Sequence, residues 1–410
     1  MLKAIKIRLY PKKEQIAYIN KQFGCCRFVY NQCLAYRKDS YEKESISISS
    51  SDSINHIVEL KSKYEWLKEV HSKVLQQSVR NMNQAYDNFY KLHKGYPKFK
   101  SKKDNNQSCR FPKDAFIGVR GNRIDLIRAL SDIHFKCSRK DEIYLNKNQD
   151  KVGSLTLRKL PSGEFYLSVL IDKPNDYRSQ TNGIIGIDLG IKDFVVTSDG
   201  ESFNNLHHKK SKTNKLKRLH RELSRKQKES NNRNKARVKL AKAYNKISNR
   251  KEYYLHQVTN ALINENQIIC MENLNVKGMM RNHKLAESIQ EMNFGEFRRM
   301  LEYKANWYNR QVVFVDRFFP SSKTCNYCGC TKKDLKLSDR QWVCPNCGEV
   351  IDRDYNAACN IKDDGLRIIG LSSAEFTLVD CPTMDDKREI SLKSSDRLKQ
   401  ERNELHGFFL

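Results

Sequence analysis

The sequence predicts a multidomain α+β chain. A small β-barrel or sandwich with a helical insertion comes first, and an α/β domain with an inserted metal knuckle follows. Three observations carry this reading: a lone N-terminal strand parted from further short strands by a long helical stretch, three apolar strands separated by long helical text, and two Cys-x2-Cys pairs near the C-terminal end of that text. At 410 residues the chain is too long for one ordinary core.

"LKAIKIRLY" alternates apolar and basic residues and reads as a strand that Pro11 ends. Ile16, Ile19, Phe23, Cys26, Tyr30 and Leu34 then follow helical spacing. "SISISSSDS", Ser45 to Ser53, reads as a loop ending in helix N-cap residues, and Ile54 to Val70 as a helix. Leu75, Val79, Met82, Tyr86 and Phe89 mark another helix after Ser72. "KGYPKFKSKKDNN" breaks the helical pattern. Short strands follow: "AFIGV", "RIDLI", "DIHFK", "VGSLTLRKL" and "EFYLSVLID", the last two joined by the hairpin signal "PSG". "NGIIGIDLGIKDFVVTSDG" holds an apolar strand, a turn and a second strand. With "NQIICMENLNV" and "RQVVFVDRFF" further on, it makes an α/β pattern. From Leu366 the sequence is polar and weakly periodic, which predicts a disordered tail.

The chain carries 76 Lys and Arg against 48 Asp and Glu, a formal net charge of +28. Solubility needs far less, and a polyanionic partner is the usual cause, because each Lys or Arg on a phosphate releases counterions. Hydrophobic content of 39% excludes a wholly disordered chain. The charged start "MLKAIKIRLYPKKEQ" has no signal core and no run of about 18 apolar residues occurs, so no membrane association is expected. The 13 cysteines fit reduced thiols, some on metal, in a cytoplasmic or nuclear protein better than disulfides, and the cytoplasm is the expected compartment.

Four stretches carry chemistry. Cys325-x2-Cys328 and Cys344-x2-Cys347 stand 15 residues apart, the spacing of a zinc ribbon whose four thiolates close a structural Zn2+ site. A Gly follows the second Cys of each pair and suits a turn whose amides point at sulfur. Cys330 and Cys359 fall outside the pattern and read as bystanders. Asp188 interrupts an apolar strand, where a carboxylate is unfavourable without a metal or a partner; a turn cap is the plainer alternative. Glu272 ends another apolar strand in the same way. Asp352, Asp354 and Asn356 enter the helix "YNAACNI", where capping also favours such residues.

Asp, Glu, Asp on a first strand, a later strand and a C-terminal helix is the layout of the ribonuclease H fold. "GIIGIDLGIKDFVVTSDG", "MENLNV", "CNYCG…CPNCG" and "DRDYNAACNI" resemble the RuvC-like nuclease of the transposon-encoded TnpB proteins, which are similar to the presumed ancestors of type V CRISPR nucleases. "RLYPKKEQ", "FGCCRFVYN", "LQQSVRNMNQAYDNFY" and "GYPKFKSKK" extend the resemblance over roughly residues 1 to 362.

The resemblance implies an RNA-guided DNA endonuclease of a transposable element. It would use a guide RNA from the transposon end, recognise a short motif beside a double-stranded DNA target, and cut through one RuvC site. Asp188, Glu272 and Asp354 would then be the catalytic carboxylates on Mg2+ or Mn2+, with Asp354 preferred over Asp352 for its place in D-x-N-x-A. It also implies a β-barrel wedge domain (1–10 and 95–180) and a helical recognition insert (11–94). The ribonuclease H-like (RuvC) α/β domain (181–319 and 350–365) would carry an inserted zinc ribbon (320–349), and 366–410 would be the tail. The ribbon would fix where the helix bearing Asp354 begins.

From "HHKKSK" to "SNRK" basic residues far outnumber acidic ones on two helices expected to turn at "ESNNRN". Lys217, Arg218, Arg221, Arg225 and Lys239 are placed there against a guide–target duplex backbone, a solvated charged face being the alternative. His207 and His208 read as surface residues. Gln77, Arg80 and Asn81 share one side of a helix and are candidates for reading the DNA motif, since Gln and Asn suit adenine edges and Arg suits guanine. Other functions with the same fold are a guided repressor without cutting, a strand-joining transposase and a compact type V CRISPR effector.

Overall fold

The structure is a computed structural model. It describes residues 1–103, 107–174, 178–205, 210–283, 285–336, 338–371 and 379–380. His207 and His208 lie outside the described residues, as does nearly all of the expected tail. The chain divides into two compact units, Met1–Pro174 with Asn214–Asn245, and Asn175–Thr213 with Lys246–Leu410.

In the first unit, strand β1 (Leu2–Tyr10) leads into helices α1 (Lys13–Glu44), α2 (Ser50–Lys63) and α3 (Ser72–Leu92). Strands β2 (Gln107–Phe111), β3 (Gly118–Arg120), β4 (Arg123–Asp125) and β5 (Ile133–Lys136) follow. Helix α4 (Arg139–Lys147) and the hairpin of β6 (Val152–Lys159) and β7 (Phe165–Asp172) complete the module. The seven strands form one sheet in the order β2-β6-β7-β1-β5-β4-β3, with every pairing antiparallel. β1 joins the sheet as expected and the three helices are inserted after it. Among the described residues the expected barrel is not closed by hydrogen bonds: β2 and β3 are opposite ends of the strand order. The strands β3 and β4 have three residues each, too few to carry the pairing around. Alternation along β1 sends Ile5, Ile7 and Leu9 into a core shared with Ile19, Phe23 and Leu34 of α1 and Leu75, Val79 and Met82 of α3. Two hairpins of this unit turn at glycines with positive φ, Gly121 (57°) and Gly163 (85°).

Two basic helices follow, α5 (Lys210–Ser224) and α6 (Asn231–Glu265). Arg233 Nη1 donates to Leu223 O (3.0 Å) and Lys226 O (2.9 Å), which fastens the turn between them. Asn245 Nδ2 reaches Ser162 Oγ (2.8 Å) and Glu164 Oε2 (3.0 Å) at the tip of the β6–β7 hairpin.

The second unit contains β8 (Gly183–Asp188), β9 (Asp193–Thr197), β10 (Ser202–Asn204), β11 (Asn266–Glu272) and β12 (Gln311–Val315). They form one five-stranded sheet in the order β10-β9-β8-β11-β12. β8, β11 and β12 run parallel, and β9 and β10 are antiparallel. Helices α7 (Val276–Met279), α8 (Ala286–Met292) and α9 (Phe294–Tyr308) fill the connection from β11 to β12. Beyond β12 come β13 (Cys330–Thr331), β14 (Gln341–Val343), β15 (Val350–Asp352), α10 (Arg353–Ile368) and β16 (Val379–Asp380). α10 therefore runs on to Ile368, into the stretch expected to be tail. Among the described residues no helix is long and apolar enough to cross a membrane.

Two glycines let α10 lie close on the sheet. A Cβ at Gly186 of β8 would stand 2.1 Å from Ala358 O, and one at Gly365 would stand 2.3 Å from Cys270 Sγ of β11. Any side chain at either position would lift the helix, so this contact fixes the height of its first turn above the strand ends.

Candidate active site and zinc ribbon

The ends of the parallel strands bring two carboxylates together. Ile187 of β8 pairs with Met271 of β11, and Asp188 and Glu272 are the next residues on each strand. Neighbouring strands lie about 4.8 Å apart, so the two acids are adjacent on one edge. Asp354 enters from the first turn of α10, which crosses β8 at Gly186. The electrostatics register this meeting. Burial pushes Asp188 up to about 8, the Glu272 and Asp354 carboxylates add to the rise, and Arg353 and the Leu189 amide oppose it. Burial also raises Glu272, and a hydrogen bond from Ser321 pulls it partly back.

Asp352 and Asp354 do different things. Asp352 is the N-cap of α10, its Oδ1 accepting from Tyr355 N at 3.0 Å. Asp354 Oδ2 is held by Arg340 Nη1 at 2.7 Å. Arg340 also accepts Arg353 N on its carbonyl at 2.8 Å, so it ties the ribbon to the start of α10 twice. Sequence reasoning did not find Arg340, which lies 14 positions from its partner with no local periodicity joining them.

Sequence reasoning also missed the network that joins the ribbon to α10. Ser321 Oγ donates to Glu272 Oε1 at 2.5 Å, and Ser321 O accepts from Asn360 Nδ2 at 2.7 Å. Thr324 O accepts from both Asn356 and Asn360, each at 2.7 Å. Asn326, inside the first cysteine pair, donates its backbone N–H to Asn356 Oδ1 at 2.9 Å. Its side chain donates to Asn360 Oδ1 at 3.0 Å and to Asp363 Oδ2 at 2.7 Å. Asn356 and Asn360 are buried and one turn apart on α10. The spacing i, i+4 on a helix entering a cysteine-rich insertion was the one signal available for them.

The four predicted cysteines converge. Among the described residues, only Cys325, Cys328, Cys344 and Cys347 form a set of three or more metal-ligating side chains whose ligand atoms all lie within 4.8 Å. Sγ separations of 3.7 Å (Cys325–Cys347) and 3.5 Å (Cys328–Cys344) match the edge, about 3.8 Å, of a tetrahedron with Zn–S bonds near 2.3 Å. The two turns are equivalent: Gly329 (φ 73°) and Gly348 (φ 72°) each donate their N–H to the carbonyl of the first Cys of their pair. Amides of Cys330 and Glu349 bond Cys328 and Cys347, so backbone N–H groups do face sulfur. These donors fit zinc. Cys330 departs from the expectation of reduced thiols, being disulfide-bonded. Cys359 is a buried thiol on α10 whose Sγ donates to Ser198 O at 3.8 Å.

Among the described residues, the ligand oxygens of Asp188, Glu272 and Asp354 do not all lie within 4.8 Å of one another. That suits Mg2+, which takes one or two carboxylates and keeps several waters. Three hard oxygen donors whose charges oppose one another fit divalent cations of this kind.

The remaining candidates lie in the first unit. Gln77 is half-buried on α3, and Arg80 and Asn81 are exposed. Asn81 lines a cavity of about 380 Å³ with Ser78, Lys100, Ser108, Arg110 and Thr156. Gln77 and Arg80 do not line it. Lys217, Arg218, Arg221, Arg225 and Lys239 are exposed, and Lys239 lies 3.5 Å from Glu222.

Comparison with known proteins gives the family. Family models match at residues 294–361 (Cas12f1-like, TNB domain), 166–283 (OrfB_IS605, "Probable transposase") and 1–45 (a helix-turn-helix domain). Residues 1–45 fold as one strand and one long helix. The chain is 36% identical over 366 residues to a Streptomyces pristinaespiralis protein named "Putative RNA-guided DNA endonuclease", covering 89% of each. It is 30% identical over 386 residues to "Putative RNA-guided DNA endonuclease InsQ" of Escherichia coli (strain K12), covering 90% of this chain and 93% of that one. The chain belongs to the TnpB family. A solved structure of similar fold is that of a Cas12f1–sgRNA–target DNA complex, at a TM-score of 0.56 and 17% identity, covering 85% of this TnpB chain and 83% of the other.

Proposed function

We propose that this TnpB protein is an RNA-guided DNA endonuclease that cuts double-stranded DNA at Asp188, Glu272 and Asp354. What supports the reading is that Asp188 and Glu272 end neighbouring parallel strands, and that burial pushes Asp188 up to about 8, with the Glu272 and Asp354 charges adding to the rise. Such a cluster is unfavourable unless cations complete it. Held by these carboxylates, two Mg2+ or Mn2+ ions would clamp attacking water and leaving oxygen in phosphodiester hydrolysis. The chain's own residues prepare that state. Asp188 at the end of β8 and Glu272 at the end of β11 sit on strands that cannot shift independently. Ser321 orients the Glu272 carboxylate. α10, pinned at Gly186 and through Asn356 and Asn360, delivers Asp354. Arg340 neutralises Asp354 from the ribbon side.

The second unit is read as a RuvC-like ribonuclease H fold with the zinc ribbon as scaffold for the third carboxylate, and the first as the wedge and recognition module. The exposed basic helices α5 and α6 are assigned to the guide–target duplex backbone, with the guide RNA supplied by the transposon end and the work done in the cytoplasm. A short motif beside the target would be read in the first unit, by Gln77, Arg80 or Asn81. The test is to express the protein with its native downstream flank and sequence the nucleic acid that co-purifies. A discrete RNA ending in the flank is expected, and DNA matching that RNA should then be cut. Absence of any defined RNA would overturn the guided reading.

A further inference from the structure

Packing does not explain one side chain beside the carboxylates. Phe318 is 86% exposed, the highest value among the exposed large apolar residues that the structure describes. Its neighbour Phe319 behaves ordinarily and packs on the cluster of Cys270, Val313, Val315 and Ile361. The turn that turns one ring in and the other out is built firmly. Phe318 N donates to Asp316 Oδ1 (2.8 Å), and Phe319 N donates to Asp316 O (3.2 Å). Arg317 Nε donates to Asn273 O (3.4 Å), one residue past Glu272. Three residues after Phe318, Ser321 is bonded to Glu272 and to Asn360. Val315 is the register partner of Glu272, so Phe318 lies within about 10 Å of the end of the paired strand. Isolated apolar residues on a surface are ordinary. An aromatic ring fixed in water on a turn tied to a candidate catalytic carboxylate calls for a ligand.

We infer that Phe318 is a stacking platform for an unpaired DNA base beside the scissile phosphate. This rests on the reading of Asp188, Glu272 and Asp354 as the cutting site. Stacking on an aromatic face tolerates any sequence, because every base has a π-face. A nuclease whose target is set by a guide needs that tolerance next to the cut. Holding one base sets the register of the backbone against the carboxylates, which makes Phe318 a positioning residue. The exposed Arg317 beside it places positive charge where the adjoining phosphate would pass.

Two measurements test this. Guide-loaded wild type, F318A, F318L and F318W are assayed on target DNA with KM and kcat read separately. The same Phe318 changes in an Asp188→Ala background are titrated with a single strand carrying 2-aminopurine, which needs no cutting. F318A is expected to raise KM and weaken strand binding about tenfold or more, the range of losing one stacked base. Its melting temperature should not move, since the ring is in water. Trp should preserve both readouts and Leu should not. An abasic site at the contacted nucleotide should bring wild type to the level of F318A and leave F318A unchanged. Equal binding and cleavage by F318A, or Leu serving as well as Trp, would overturn the proposal. Failure of the carboxylate reading is separable: Asp188→Ala would then cut DNA while strand binding still depended on Phe318.

Discussion

The position of Asp188 makes the stability of the metal-free protein depend on pH in a direction opposite to that of most carboxylates. Its folded value is about 8, raised by burial and by Glu272 and Asp354; the unfolded value is about 3.9. A group raised on folding contributes stability that is fully present below the unfolded value and is lost as pH climbs through the folded one. The window is therefore about pH 4 to 8. Four units at about 1.36 kcal/mol each give roughly 5.5 kcal/mol as an upper bound. Asp188 as a residue is half-buried, so screening by water brings the effect below that bound. Asp188→Asn keeps the shape of the protonated acid and cannot ionise. In EDTA, the unfolding midpoints of wild type and D188N should lie close together at pH 5 and diverge by pH 9, with D188N the more stable. Adding Mg2+ or Mn2+ at pH 8 should restore much of the wild-type deficit and do little for D188N, because a ligand that binds the native state stabilises it. Parallel curves from pH 5 to 9 would refute the claim that the three carboxylates oppose one another.

Three further outcomes follow from the geometry. Cys344→Ser should lower bound zinc and reduce DNA cleavage at least tenfold, because the first cysteine pair is bonded to α10 through Asn326; full cleavage and unchanged folding would mean that the ribbon does not position Asp354. Gly186→Ala should destabilise the protein by about 2 kcal/mol or more, as overpacking does, since its Cβ would meet Ala358 O at 2.1 Å; a denaturation midpoint equal to wild type would contradict the close helix–sheet contact. A pair of changes, Gln77→Ala with Arg80→Ala, should relax preference for the target-adjacent motif in a library-cleavage assay, and an unaltered motif would leave Asn81, which alone of the three lines the cavity with Arg110, as the candidate.

Much of the candidate site was legible because its physics is local. An acid inside "IIGIDLG" or at the end of "IICME" stands out against an apolar strand, and two Cys-x2-Cys pairs declare their turns through the glycines that follow. The hairpin of β6 and β7 showed in alternation around "PSG". What was illegible depends on contacts far apart in sequence. Ser321 meets Glu272 across 49 residues, and Arg340 meets Asp354 through a turn that the ribbon alone creates. β2 was overlooked because "QSCRF" offers two buried side chains, Cys109 and Phe111, in a run of basic text. α4 was overlooked because only Leu145 is buried on it. The open sheet reflects strand lengths that short-range patterning does not fix. Phe319 and Phe318 look identical in sequence, and the Asp316 turn decides which ring packs against the core.

The central claim is that one set of three carboxylates cuts DNA while the guide is bound elsewhere. Its most direct test is cleavage of a guide-matched target by Asp188→Ala protein purified with its RNA. The account predicts loss of cutting, with the amount and length of the co-purified RNA unchanged. Cutting at the wild-type rate, or loss of the RNA together with the activity, would contradict it.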